Sequence, residues 1–105
     1  MDIQLKRGIL DICVLAVLQK EDSYGYKIVK DLLPFVEISE STLYPILKRL
    51  ESSNLVRFYQ VEHNSRLRKY YQITEQGKER ISEFICEWED VMKMYRFIKG
   101  GTENE

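Results

Sequence analysis

A change of hydrophobic period constrains this chain more than any other feature. As far as Asn54, apolar residues recur at helical spacing. From Leu55 the repeat shortens to two, the spacing of a strand, and it resumes after a polar break at 63–67. Beyond Thr74 the helical spacing returns and lasts to about Ile98. Side chains alternate across a strand but follow a 3.6-residue repeat around a helix. The order therefore predicts helices, a hairpin, and one long closing helix.

Three helices precede the switch. The first runs from Ile3 to Gln19, with Ile9, Ile12, Cys13 and Ala16 as one stripe. Leu10, Val14, Leu15, Val17 and Leu18 extend its apolar surface nearly all round, which suits a central strut. After Lys20-Glu21-Asp22, Ser23 or Asp22 caps a second helix from Tyr24 to Leu32 or Leu33. Pro34 ends it, because the residue before a proline avoids the helical region. Gly25, in its first turn, allows another helix to come close. Residues 35–38 form an extended link.

Ser39 caps the third helix, which starts at Ser39 or Glu40 and ends near Ser53-Asn54, where Asn takes a left-handed cap. Pro45 has no N–H to donate and predicts a local distortion. Leu43, Ile46, Leu47 and Leu50 fall at i, i+3, i+4 and i+7 on one face. The other face carries Ser41, Thr42, Tyr44, Lys48 and Arg49. Such a face is either a solvated helix surface or one suited to an anionic polymer with readable base edges.

The first strand spans Leu55–Glu62, the turn is His63–Leu67, and the returning strand is Arg68–Ile73. Tyr70 and Tyr71 lie on opposite faces of that strand; one belongs to the core, and alternation alone does not say which. Thr74 caps the last helix, with Glu75 and Glu79 near its positive end. This helix carries two seams. One is Ile81, Ile85, Trp88, Met92 and Tyr95; the other is Phe84, Trp88, Val91, Tyr95 and Ile98. A chain of this length has too few elements to cover both, so the second predicts a homodimer. The dimer-interface residues expected are Ile81, Phe84, Ile85, Trp88, Val91, Met92 and Tyr95.

The fold class is thus mainly α with a small β-hairpin: a winged helix-turn-helix over residues 1–74 and a C-terminal dimerisation helix over 75–99. A disordered tail is expected over 100–105. The net charge of -1 and pI near 5.9 offer no general attraction to nucleic acid. Distribution says more than the sum. From Ser41 to Thr74 the cations Lys48, Arg49, Arg57, Arg66, Arg68 and Lys69 face only Glu51 and Glu62.

Other classes find little support. The sole histidine, His63, lies on a turn; there is no glycine-rich phosphate loop and no metal-ligand spacing, so neither enzyme, metal site nor cofactor is expected. No apolar run approaches the roughly 18 residues of a membrane span. Lys6-Arg7 and the following apolar residues imitate a signal peptide, but Asp11 interrupts them and Gln19-Lys20-Glu21 is no cleavage site, which predicts a cytoplasmic protein. Cys13 and Cys86 read as buried free thiols, with a redox or ligand sensor at Cys86 as the alternative. A winged helix that binds protein rather than DNA is the main rival reading.

Several fragments, in this order and spacing, resemble the PadR family of bacterial transcriptional regulators. They are Tyr24-Gly25-Tyr26; Ser39-Glu40-Ser41-Thr42-Leu43-Tyr44-Pro45 with Leu47, Arg49, Leu50 and Glu51; Leu55-Val56; and Arg68 through Gly77. The resemblance is close over residues 9–80 and implies a dimer that binds double-stranded DNA, usually to repress transcription. The short C-terminus resembles the smaller subfamily, some of whose members stack planar aromatic compounds on a tryptophan at the dimer interface. Trp88 stands where that tryptophan is expected; plain dimer packing is its alternative role. Many relatives have Gly or Pro in the wing, where this chain has His63-Asn64-Ser65-Arg66-Leu67.

Together these readings nominate Ser39, Ser41, Thr42, Tyr44, Lys48, Arg49, Arg66, Arg68 and Lys69 for contact with a pseudo-palindromic operator. Arg49 has a competing use, as an ion pair with a carboxylate such as Glu51 or Glu62. The remaining expectation is a repressor relieved by a small-molecule effector.

Overall fold

The computed structural model describes residues 1–101. Six elements follow in order: α1 (Ile3–Lys20), α2 (Gly25–Leu32), α3 (Glu40–Ser52), β1 (Val56–His63), β2 (Arg66–Ile73) and α4 (Glu75–Ile98). The expected 100–105 tail lies largely outside the described residues. Three helices, a hairpin and a long helix make a winged helix-turn-helix with a C-terminal helical extension, as the periodicity predicts.

Each junction has a local cause. The Asp2 carboxylate accepts from the Gln4 and Leu5 amides at 2.8 and 3.1 Å and caps α1. Ser39 Oγ accepts from the Thr42 amide at 3.2 Å and caps α3. Thr74 Oγ1 accepts from the Gly77 amide at 3.0 Å and caps α4. At the far end of α3, Asn54 takes φ 61°, and the Leu55 amide reaches back to the Leu50 carbonyl at 2.9 Å. That bond, with Asn54 N–H to the Glu51 carbonyl, is the Schellman arrangement, which turns the chain directly into β1. Pro45 sits inside α3, which runs through it unbroken. The bond it cannot donate would have ended on the carbonyl of exposed Ser41, where solvent replaces it.

The second helix departs from expectation. Ser23 does not cap it; the N-cap is Tyr24, without a side-chain bond. Ser23 is instead extended and pairs with the wing, its N–H on the Tyr71 carbonyl at 3.1 Å and its carbonyl accepting from Tyr71 at 2.7 Å. Pairing both backbone groups with the edge of β2 keeps Ser23 out of the helix. Tyr71, on the same face of β2 as Ile73, is buried, while Tyr70 on the other face is half-buried.

The hairpin turn is tighter than the five residues expected. His63 already pairs with Arg66, leaving Asn64 and Ser65 at φ 50° and 63° as a two-residue loop. Two successive positive φ values define the type I′ turn, whose twist matches that of paired strands.

The core is one cluster. It combines Leu10, Ile12, Val14, Leu15 and Leu18 of α1 with Ile28 and Leu32 of α2 and the whole stripe of α3. Val56, Tyr71, Ile73 and Ile81 close it. Two expectations change here. The buried side of α1 follows Leu10, Val14 and Leu18, with Ile9 and Cys13 at its margin and Ala16 exposed. Ile81, expected at the dimer interface, is buried in its own chain's core, because the first turns of α4 pack on α1 and β2.

Past that point α4 leaves the domain. The molecule measures 59 × 26 × 21 Å, with a radius of gyration of 16.3 Å. A compact chain of this length would have about 13 Å.

Candidate nucleic-acid interface

A polar cleft of about 680 Å³ lies between the start of α2, the start of α3 and the wing. Tyr24, Gly25 and Tyr26 form one wall, Glu40 and Tyr44 another, and His63, Asn64, Arg66 to Lys69 and Tyr71 the third. Of the nominated residues, this cleft brings together Tyr44, Arg66, Arg68 and Lys69. Ser41, Thr42 and Lys48 lie exposed on the same helix as Tyr44.

The helix wall is built by its cap. Ser39 Oγ lies 2.8 Å from Ser41 Oγ and 3.2 Å from Thr42 Oγ1, so three hydroxyls cluster at the positive end of α3. Ser39 itself is committed to capping, and Ser41 and Thr42 remain at the surface. Tyr44 depends on Gly25. A β-carbon at position 25 would come 2.6 Å from the Tyr44 hydroxyl. Glycine is what lets the phenol lie across the first turn of α2. Burial, reinforced by Glu40, raises the Tyr44 pKa above its ordinary value.

Aromatic rings from the wing and from the start of α2 position the wing's cations. The Arg68 guanidinium lies 4.1 Å from the centre of the Tyr24 ring, and Lys69 Nζ lies 3.8 Å from that of Phe58. Tyr59 stacks on Tyr70 at 5.7 Å, and Tyr70 meets Tyr24 edge-on at 5.3 Å. Asp22 fastens this group from the α1–α2 link, accepting from Tyr59 Oη at 2.7 Å and from Gln72 Nε2 at 3.3 Å. The bond to Asp22 also raises the Tyr59 pKa. Arg66 makes no ion pair among the described residues and stands exposed beside the turn.

Arg49 is placed differently. Its Nη2 donates to Asp11 Oδ1 at 2.7 Å, tying α3 to α1. The carboxylate is neither Glu51 nor Glu62 but one thirty-eight positions upstream. In this arrangement Arg49 serves the scaffold.

Glu40, Tyr26 and Leu67 also line the cleft, outside the nominated set. Tyr26 and Leu67 are 62% and 68% exposed on opposite walls of the cleft. The signal for Tyr26 was present, as a large aromatic on the polar side of a short helix next to a close-approach glycine. Glu40 is an acceptor among cations, the type of group that pairs with the cytosine amino group.

The second predicted surface is on α4. Ile85, Val91 and Tyr95 are exposed, while Phe84, Trp88 and Met92 are half-buried. Phe84 stacks on Trp88 at 5.7 Å with 14° between the rings. A groove beside them is lined by Ile85, Met92, Lys93 and Arg96 as well. Met1, Ile3 and Leu5 at the start of α1 add further exposed apolar surface. Cys86, expected buried, is exposed, and Cys13 is half-buried. Among the described residues no cluster of side chains suits a metal ion, and no helix is long and apolar enough to cross a membrane.

A helix-turn-helix with an aromatic-braced cationic wing and a projecting helix defines the winged-helix class of regulators. Residues 14–83 match the model of the "Transcriptional regulator PadR-like family", and the chain belongs to that family. The family comprises transcription regulators rather than enzymes. The chain is similar to a PadR-like transcription factor from Bacteroides fragilis, at 31% identity and TM-score 0.82 over 90% of this chain and 94% of that one. It is also similar to a PadR family regulator from Clostridium difficile, at 37% identity and TM-score 0.75 over 84% and 96%. PadR of Bacillus subtilis, solved in complex with operator DNA, shares the fold at 24% identity and TM-score 0.69, over 73% of this chain and 46% of that one.

Proposed function

We propose that this protein is a sequence-specific DNA-binding regulator that works as a homodimer and represses transcription until a small molecule relieves it. The observation that carries the DNA reading is the cleft in which Tyr44 of α3 and the cations of the wing face the same space, with Ser41, Thr42 and Lys48 exposed on the same helix. In this reading α3 enters the major groove. Ser41 and Thr42 bind phosphate at its positive end, Ser39 holds that end in shape, and Tyr44 and Lys48 reach the backbone or base edges. Arg66, Arg68 and Lys69 hold the adjacent backbone. Arg49 contributes by fixing α3 on α1.

The exposed apolar side of α4 supports the dimer, with Phe84, Ile85, Trp88, Val91, Met92 and Tyr95 at its interface. Two α3 helices related by a dyad read half-sites about 10 bp apart. The Phe84–Trp88 stack supports a planar aromatic effector at that interface. Such a molecule relieves repression only by favouring a dimer geometry that the operator does not match.

Selection from a random duplex library, followed by gel shifts of the enriched sequence, tests the DNA reading. A pseudo-palindrome is expected, with log K falling by about 0.9 for each phosphate neutralised per decade of salt. Unchanged affinity of the Arg66→Ala, Arg68→Ala double variant at moderate salt would remove the wing from the site. Planar aromatic cations that leave Trp88 fluorescence unquenched would remove the effector assignment.

A further inference from the structure

Away from the cleft and from the α4 groove lies a third recess, of about 440 Å³, between α1 and the end of α2. It shares no lining residue with either of the other two. Cys13, Ala16 and Val17 of α1 form one side, Leu32 and Phe35 the other, and Ser23 lies against it. Its volume falls in the range of small-molecule sites.

Two features set it apart from an ordinary surface hollow. Ser23 is fully buried, and its Oγ has no hydrogen-bond partner among the described residues. A buried hydroxyl lacking a partner is costly, so native structures rarely leave one unsatisfied. The second feature is the balanced charge of the rim. Lys27 Nζ bridges Glu21 at 3.0 Å and Asp31 at 2.8 Å, and Lys20 lies beside them. Lys27 lies outside the lining but pairs with both acids, so with Lys20 the rim presents no net negative charge. Phe35, 86% exposed, offers a ring to cover a bound molecule.

We propose that this recess binds a small uncharged molecule with an apolar body and one hydrogen-bonding group, which pairs with Ser23 Oγ. The site adjoins the wing's anchor. Ser23 exchanges both backbone bonds with Tyr71, and its neighbour Asp22 accepts from Tyr59 and Gln72. A molecule bonded to Ser23 therefore acts on the residue that fixes the hairpin relative to α2 and α3. Its effect on operator affinity rests on the proposed function; its binding does not.

Indole, an apolar ring with a single N–H, is a suitable probe for the full chain in an amide-resolved NMR titration. Saturable shifts are expected at Cys13, Val17, Ser23 and Leu32, extending to Tyr71. Ser23→Ala removes one hydrogen bond and should weaken binding about fivefold. Ala16→Trp starts from an exposed position on α1, leaves the core untouched, fills the recess and should abolish the shifts. Shifts confined to the surroundings of Trp88, no shifts at all, or equal affinity in Ser23→Ala would each overturn the site. So would an Ala16→Trp chain that turns monomeric while wild type shows no indole shifts, which assigns the recess to a second copy of the chain. Indole should also lower operator affinity in wild type but not in Ala16→Trp. If no DNA binds while the titration shifts stand, the regulator reading fails and the ligand site survives.

Discussion

Helices α3 and α4 carry apolar seams at the same helical spacing, yet only one is covered. On α3, Leu43, Ile46, Leu47 and Leu50 are all buried, with polar groups confined to the outer side. On α4, Ile81 alone is buried among the apolar residues, and Ile85 and Tyr95 remain 53% and 47% exposed. The seams differ in what surrounds them. α3 is enclosed by α1, α2 and β1, whereas α4 passes beyond its neighbours after its first turns. The same spacing thus yields a core helix in one place and an uncovered apolar face in the other.

Substitutions at these two helices and their junctions sharpen that contrast. The largest effect belongs to the enclosed seam. Leu47→Ala should lower folding stability by about 3 kcal/mol in urea denaturation, through lost burial and a residual cavity. Gly77→Ala comes next, at about 2 kcal/mol, because a β-carbon there meets the Leu55 carbonyl, which is backbone and cannot swing aside, as well as the Ile73 side chain. Arg49→Ala should cost about 1 kcal/mol, since its pair with Asp11 is still partly solvated. The smallest effect on folding belongs to the open seam. Ile85→Ser with Tyr95→Ser should stay within about 0.5 kcal/mol of wild type at concentrations too low for dimers. The same pair should abolish the dimer in sedimentation, and a dimer that persists would show that the interface lies elsewhere.

A gentler probe compares the two thiols. Burial pushes the Cys13 thiol pKa up, whereas Cys86 is exposed. Only the thiolate reacts, so iodoacetamide at mildly alkaline pH should modify Cys86 roughly tenfold faster than Cys13, read by peptide mass.

Local chemistry was the legible part of this fold. Ser39 and Thr74 cap the helices assigned to them, Asn54 takes the left-handed turn, and the change of period falls where the hairpin begins. Features fixed by distant partners were not legible. Asp11 and Arg49 meet only after α1 and α3 pack. Tyr70 and Tyr71 are distinguished only when β2 turns the face shared by Tyr71 and Ile73 to the core. Ser23 has a side chain that suits a cap, yet its backbone is paired with the edge of β2 instead. The turn was read too long because an Asn-Ser pair lacks the glycine that usually marks a two-residue loop. For the cleft, Tyr44, Arg66, Arg68 and Lys69 follow from residue type and Tyr26 from its place beside a close-approach glycine, whereas Glu40 and Leu67 join only through the assembly of its three walls.

Three elements meet where α3 ends. Thr74 Oγ1 donates to the Asn54 carbonyl at 2.8 Å, the Thr74 amide donates to the Leu55 carbonyl at 3.1 Å, and Gly77 lies against that same carbonyl. The base of α4 is therefore bolted to the exit of α3, while its other end is free. A helix of this length is a lever of about 36 Å, and a 5° tilt at the base sweeps the tip through about 3 Å. Run in reverse, a tip displacement of about 3 Å corresponds to about 5° at the base, and under the proposed function the junction at Leu55 and Gly77 is the fulcrum through which that tilt would reach α3.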